Sequence, residues 1–385
     1  MASLSEANEA LNAINLDFTG EFVNVKNALN RELIDDIFST KDLPCFDNSA
    51  LDGYALKFEY KQSGYVLKDT ILAGDKRNLE IKDNECIRIM TGAKFPSGAD
   101  TILRLEDSYE KDGLIYAKSL KKGEAHRLRG EEVKSGEILI KNGTKLTPAH
   151  LMLLASQGIN EVFVKTLPKI AIFSSGNELR EPWQRADDDE IYNANAHGIS
   201  ALLLQNGFKS SYLGTIKDSF EATKNALKSA MNFDVIICSG GASKGDADYM
   251  KDALLSLGFT EIFSHVNIRP GAPSKAFKNG NKIAFVLAGN PMAAFLMAFL
   301  LIVPFLTKTK HELTKATLKN SLKLKSGRIN VVLGEFKNGV FNVLNDNKYG
   351  SGMITPLVNS NAIYLSKSDE SEILEGSEIF ILRLS

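Results

Sequence analysis

Between Phe46 and Ala55 the chain runs Phe-Asp-Asn-Ser-Ala-Leu-Asp-Gly-Tyr-Ala, which gathers the carboxylates of Asp47 and Asp52, the amide of Asn48 and the turn residue Gly53 into one short stretch. Two readings fit it: a loop built for chemistry, or an Asx-type turn joining two domains. It is not an EF-hand, because Ser49 and Leu51 fall at ligand positions and no Glu completes the loop. Ser239-Gly240-Gly241 follows a strand-like run, where backbone N–H groups can cradle an anion such as phosphate, or where the chain simply turns from strand to helix. Ser243, Lys244, Asp246 and Asp248 follow at once and add the cation and carboxylates that a Mg²⁺–phosphate site requires. Ser175-Gly176-Asn177-Glu178 offers close backbone approach and a carboxylate that can accept hydrogen bonds or ligate a metal, although both features also suit an ordinary helix start.

Two basic groups complete the inventory. Arg269-Pro270-Gly271, with Ser274 and Lys275, places two cations near a turn; they suit a tetrahedral oxyanion or form a solvated pair. Arg127 and Arg129 share one face if the segment is a strand, which suits phosphate clamping as well as a charged edge. Thr91-Gly92-Ala93 supplies a hydroxyl and backbone N–H groups. The five histidines are scattered, and no Ser–His–Asp or Cys–His arrangement can be assembled from them, which disfavours a nucleophilic hydrolase.

The elements that must position these residues are clearest from about 169 to 312. Apolar β-like runs at 170–173, 212–216, 235–238 and 283–287 alternate with helix-like segments, the order of βαβ units in a doubly wound parallel sheet. Ligands of such sheets bind beyond the carboxyl ends of the strands, where the loops at Ser175, Ser239 and Gly289-Asn290-Pro291 fall. Asp218 with Glu221 reads as a capping-box pair. Residues 43–138 carry short β-like runs between turn signals and form an inserted β-rich domain. Segments 1–42 and 139–168 read as a helical connecting body, with helices at about 4–14, 25–38 and after Thr147-Pro148. Residues 318–385 return to β-like runs and suggest a carboxy-terminal β-barrel. The fold class is therefore multidomain α/β plus β.

At 385 residues the chain exceeds one hydrophobic core. Lys plus Arg number 46 and Asp plus Glu 47, a balance that gives no field for wrapping nucleic acid or adhering to an anionic membrane. Cys45, Cys86 and Cys238 are too dispersed for a zinc site or a disulfide framework and fit a reducing cytoplasm. The apolar run Met292 to Leu306 is roughly 15 residues, short of the ~20 that span a bilayer. It reads as a buried helix.

Taken together and in this order, these motifs resemble the MoeA-type molybdopterin molybdenumtransferases over most of the chain. The resemblance implies a Mg²⁺-dependent homodimer, with its active site between subunits, that inserts molybdate into adenylylated molybdopterin and releases AMP. It implies catalytic roles for Asp52, Glu178, Asp218 and Asp248, and metal ligation by Glu178, Asp246 and Asp248. Substrate contacts are implied for Thr91, Gly92, Arg127, Arg129, Glu132, Ser175, Gly176, Ser239, Gly240, Gly241, Ser243, Arg269, Pro270, Lys275, Asn290 and Pro291. Arg269 stands where the family more often has Lys, and His265 where a second Lys is common. Asn177 replaces a usual Asp, and Glu132 lengthens another. Transient contact with a molybdopterin adenylyltransferase and with molybdoenzyme-maturation factors is implied, and no nucleic-acid or membrane partner. Two other activities remain compatible with the residues: molybdopterin adenylylation, and a non-catalytic dimeric scaffold.

Overall fold

The computed structural model describes residues 1–16, 18–241 and 249–384. The chain divides into two compact units, Met1–Phe18 with Leu167–Ser385, and Thr19–Thr166.

A six-stranded sheet organises the first unit, in the spatial order Ser210–Ile216, Ile170–Ser175, Val235–Ser239, Lys282–Leu287, Lys275–Asn279, Thr260–Phe263. The first four strands are parallel, as the βαβ alternation predicts. Lys275–Asn279 departs from that expectation and runs antiparallel to both neighbours. Asn279 pairs with Lys282 across a tight hairpin, and so short a link cannot carry the crossover that a parallel partner needs.

Val235, Ile236, Ile237 and Cys238 are each 0% exposed. Alternation along the strand sends Val235 and Ile237 into one core with Leu203, Phe285 and Leu301. Ile236 and Cys238 enter the other, with Leu227, Leu254 and Val286. Burial on both faces is why the strand reads as an unbroken apolar run. Helices Asn195–Gln205, Phe220–Ser229 and Met250–Ser256 cover the sheet. Ser219 caps the second of them, its hydroxyl accepting from the Ala222 N–H at 3.3 Å. The capping role expected of Asp218 therefore falls to its neighbour, which sits one residue closer to the first-turn amides. The apolar run after Asn290 forms helix Pro291–Met297, a π-helical turn Ala298–Ile302 and helix Val303–Thr307. Among the described residues no helix is long and apolar enough to cross a membrane.

Near the carboxy terminus five strands close into a barrel. Ile329–Lys337 pairs with Val340–Val343 and Ala362–Leu365, Leu313–Leu318 pairs with Val340–Val343 and Glu378–Arg383, and Ala362–Leu365 with Glu378–Arg383 completes the ring. Val332, Phe341 and Ile381 fill its interior. Val331 and Leu333 point the other way and join the core that contains Ile237. The short strand Ile268–Arg269 runs parallel to Ile329–Lys337 and sets Arg269 beside Asn330.

The second unit holds a four-stranded sheet ordered Val66–Ile71, Glu85–Ile89, Gly53–Leu56, Thr101–Arg104. Beside it lies the hairpin Ser108–Lys111 with Leu114–Ala117. That hairpin turns at Asp112-Gly113, with φ of 52° and 77°, the two positive values a tight hairpin turn demands. Helix Pro148–Ser156 starts at Thr147 with proline in its first turn, as the sequence predicts. The helix expected at 25–38 is absent: only the 3₁₀ turn Val25–Asn27 and the strand Ile37–Phe38 form there. Asn30 takes a left-handed φ of 63°, which no helix accommodates in its interior. Val25, Leu33 and Ile37 instead pack against Ile140, Val162 and Val164.

The two-sided burial of the central strand sets a stability expectation. Ile237→Ala should lower the unfolding free energy by about 2–5 kcal/mol, whereas Leu204→Ala, at a position 62% exposed, should stay within ~0.5 kcal/mol. Urea unfolding followed by circular dichroism compares them, and equal effects would count against this core assignment.

Candidate functional site

Strands Ile170–Ser175, Val235–Ser239 and Lys282–Leu287 end level with one another, because Ser174 is in register with Ser239 and Ser239 with Leu287. The loops that follow therefore converge on one cavity of about 480 Å³, whose walls include Ser175, Glu178, Asn195, Ser239, Asn290 and Pro291. Gly240 holds this convergence together. At φ 98°, a side chain there would place Cβ 2.4 Å from the Ser175 carbonyl oxygen, and its own Cα lies 3.7 Å from where a Cβ on Gly289 would stand. Only a glycine lets the three loops pack this closely. Its N–H donates to the Leu287 carbonyl at 3.1 Å, so this amide serves the turn and is not offered to an anion, contrary to the expected cradle. Gly241 follows with φ 67°.

On the neighbouring loop the Glu178 carboxylate folds back over Gly176, 2.6 Å from where a Cβ would be. Asp218 is held against the same loop, accepting from the Asn177 N–H at 3.3 Å and the Ser175 hydroxyl at 3.4 Å. Released from capping, its carboxylate braces the Ser175–Glu178 turn. Asn195, which the sequence presents only as a helix start, is a further member of the site. Its Nδ2 donates to Ser239 Oγ and to the Gly289 carbonyl, both at 2.7 Å. Its Oδ1 is buried with no hydrogen-bond partner among the described residues. Two closely spaced amides, Asn193 and Asn195, were the available signal.

A second cavity of about 630 Å³ adjoins the first through shared walls at Pro273, Ala288 and Asn290. Arg269 and Pro270 line it together with Lys323, Lys325, Arg328 and Lys348, against Asp346 as the acid. Arg269 Nη1 is buried without a hydrogen-bond partner among the described residues, and desolvated guanidinium nitrogen is a strong draw for an anion. Asn290 Nδ2 donates to Ser351 Oγ at 2.7 Å on the same wall. Lys275, expected to act beside Arg269, is 6% exposed within the sheet and does not line this cavity. The barrel lysines and Arg328 take that place. Sequence inspection missed them because their proximity to Arg269 depends on the pairing of Ile268–Arg269 with a strand some sixty positions later.

In the second unit Asp52 is exposed and accepts at Oδ1 from both the N–H and the hydroxyl of Thr91, each at 2.7 Å. The Thr91 amide first, then its hydroxyl, hold the Asp52 carboxyl below the usual carboxylate range. The amides expected to be free at Thr91-Gly92-Ala93 are all taken, by Asp52, the Ser49 carbonyl and the Met90 carbonyl. Asp47 ties the motif to the Arg127 segment, accepting from the Arg129 N–H at 2.7 Å and lying 3.2 Å from His126 Nε2. The His126 ring stacks on Phe95 with centroids 3.8 Å apart. Arg127 and Arg129 do not share a strand face, since the strand is only His126–Arg127. Arg127 pairs with Glu131 at 2.8 Å and reaches Glu132 at 3.7 Å, while Arg129 pairs with Asp42 at 2.5 Å. Glu131 and Glu132 of the following turn, and Asp42 from far earlier in the chain, thus engage both arginines of the expected phosphate clamp.

Ser243, Asp246 and Asp248 lie outside the described residues. Among the described residues no three His, Cys, Asp or Glu side chains gather as a metal-ligating group.

The Asp52 geometry is testable. Thr91→Val removes one donor and keeps the amide, so the Asp52 titration midpoint should rise yet remain below the ordinary carboxylate value. Carbon-detected NMR titration of the carboxyl reads this directly, and an unmoved midpoint would show that the hydroxyl does not act on Asp52.

Residues 2–158 match the family described as MoeA N-terminal region (domain I and II), and residues 171–308 the family described as probable molybdopterin binding domain. The molybdopterin molybdenumtransferase of Haemophilus influenzae is 31% identical over 378 residues, 94% of this chain and 93% of that protein. That of Staphylococcus aureus is 34% identical over 292 residues, 73% of this chain and 70% of that one. The molybdopterin biosynthesis MoeA protein of Pyrococcus horikoshii superposes with a TM-score of 0.81 and 25% identity, covering 100% of both chains. With one relative matched over 93% of its length and the two family models covering 2–158 and 171–308, the chain belongs to the MoeA family of molybdopterin molybdenumtransferases, enzymes of molybdenum cofactor biosynthesis.

Proposed function

We propose that the chain inserts molybdate into adenylylated molybdopterin, releases AMP, and works as a homodimer. The observation that carries this reading is the junction of the two cavities in the first unit. One, beside the Gly240 turn, is lined by hydroxyls, amides and Glu178, and it shares the walls at Pro273, Ala288 and Asn290 with a second lined by five Lys and Arg side chains. The first suits the hydrogen-bonding body of the substrate, and the cations of the second suit its phosphates and a tetrahedral oxyanion. Arg269, with a buried nitrogen that no described residue engages, takes the molybdate oxygens. Asn195 and Asn290 orient the bound substrate from either side of the Gly289 loop. Asp52, held ionised by Thr91, orients water or molybdate for cleavage of the P–O bond to AMP.

Glu178, Asp246 and Asp248 would offer oxygen donors only, a chemistry that suits Mg²⁺ rather than a softer metal. When bound, the ion supplies charge neutralisation at the pyrophosphate oxygens.

The purified chain incubated with adenylylated molybdopterin, Mg²⁺ and molybdate is expected to release AMP in step with molybdenum bound to the pterin. Substrate binding with neither product would replace this reading by a scaffold or carrier. Asp52→Asn should fold and bind as before while AMP release slows by about a hundredfold, the lower scale of positioned acid–base groups. Unchanged turnover would remove Asp52 from the mechanism. Sedimentation velocity at assay concentration is expected to give twice the chain mass, and a single-chain species with full turnover would refute the dimer.

A further inference from the structure

Trp183 is the single tryptophan of the chain, and it is 72% exposed. It stands on the wall of a third cavity, of about 700 Å³, together with Asn177, Arg180, Glu181, Tyr212 and Lys217. The 175–179 loop is the partition between this cavity and the glycine-closed one: Ser175 and Glu178 face the latter, Gly176 and Asn177 the former, and Leu179 both. An open indole beside polar groups is a surface prepared for a flat partner. His197 meets the indole at 89° with centroids 6.4 Å apart, which steadies the ring while most of it stays open.

Glu181 is 9% exposed. Its Oε1 is satisfied by Asn193 Nδ2 at 3.3 Å, Thr215 Oγ1 at 3.2 Å and the Tyr212 hydroxyl. Burial first and Glu181 second push the Tyr212 phenol up to about 12, so it remains a donor. Glu181 Oε2 is buried with no hydrogen-bond partner among the described residues, and His197 Nε2 stands 3.9 Å away. A buried carboxylate oxygen without a donor is costly, and a ligand N–H relieves it. Arg180 is already committed to Glu190 and to the Asn177 and Leu179 carbonyls, which leaves the exposed Lys217 as the cation at the rim.

We propose that this cavity seats a flat nitrogen heterocycle bearing an exocyclic amine, stacked on Trp183 with an N–H directed to Glu181 Oε2. The proposal rests on the adenylylated-substrate reading, and both the adenine and the pterin of that substrate have this chemistry.

Because Trp183 is the only indole, its fluorescence reports this cavity alone. Titrating the full chain with AMP, with a free pterin and with ribose 5-phosphate should give a saturable change with at least one heterocycle and none with the sugar phosphate. The responding compound names the half that binds. Trp183→Leu, a change at an exposed site, should raise KM for adenylylated molybdopterin in the AMP-release assay about tenfold at unchanged kcat, the scale of one aromatic–base contact. A flat response to both heterocycles, a response reproduced by ribose 5-phosphate, or an unchanged KM overturns the proposal. If wild-type chain still releases AMP in that event, the transferase reading stands without this subsite. Absence of AMP release, by contrast, removes the transferase reading whatever the titration shows.

Discussion

The level ending of three parallel strands, each buried on both faces, is the constraint on which the first unit depends. Parallel pairing fixes Ser174, Ser239 and Leu287 in one row, and two-sided burial prevents any strand from slipping, since a one-residue shift would exchange the residues of the two cores. The loops beyond that row then have no freedom to separate. They meet at Gly240, where no Cβ can be placed without striking the Ser175 carbonyl. A cavity results because polar loop residues cannot be packed as the apolar strands are, and Asn195 bridges the gap by donating to two loops at once.

The barrel extends this site by the same logic of alternation. Val331 and Leu333 enter the core shared with the sheet, while Val332 fills the barrel. The strand that carries them also receives Ile268–Arg269 in parallel, so the basic residues of the barrel come to the cavity that Arg269 lines. Five cations around one acid give the cavity a positive field, which favours anions over cations. The second unit handles charge in the opposite way. There Arg127 and Arg129 are each paired with a carboxylate, and Asp52 stays exposed and ionised, held by the two donors of Thr91.

Much of this was legible in the residues. The buried strands announced themselves as apolar runs, the glycine loops lay where strand-to-helix turns belong, and the tail closed into the expected barrel. Legibility failed where a residue's fate depended on a partner far away in sequence. The stretch 25–38 has helix-compatible apolar spacing, yet Leu33 and Ile37 pack with Val162 and Val164, and Asn30 breaks the chain direction. Lys275 reads as a companion of Arg269 because the two are near in sequence, but an antiparallel turn draws it into the sheet. Amides that look free in a Gly-containing turn, at Gly92 and Gly240, are consumed by carbonyls of other segments.

The sequence by itself determined the period of each element, the residue types at every loop and the ordered motifs that mark the family, because these follow from local backbone preference and from which side chains can be buried. Only the tertiary structure decided which of those loops share a cavity, that Asn195 belongs to that cavity and Arg328 to the basic one beside it, and that the Arg127 and Arg129 charges are already paired. Those outcomes depend on register between distant strands and on side-chain contacts a few ångströms long, and neither is encoded at any single position.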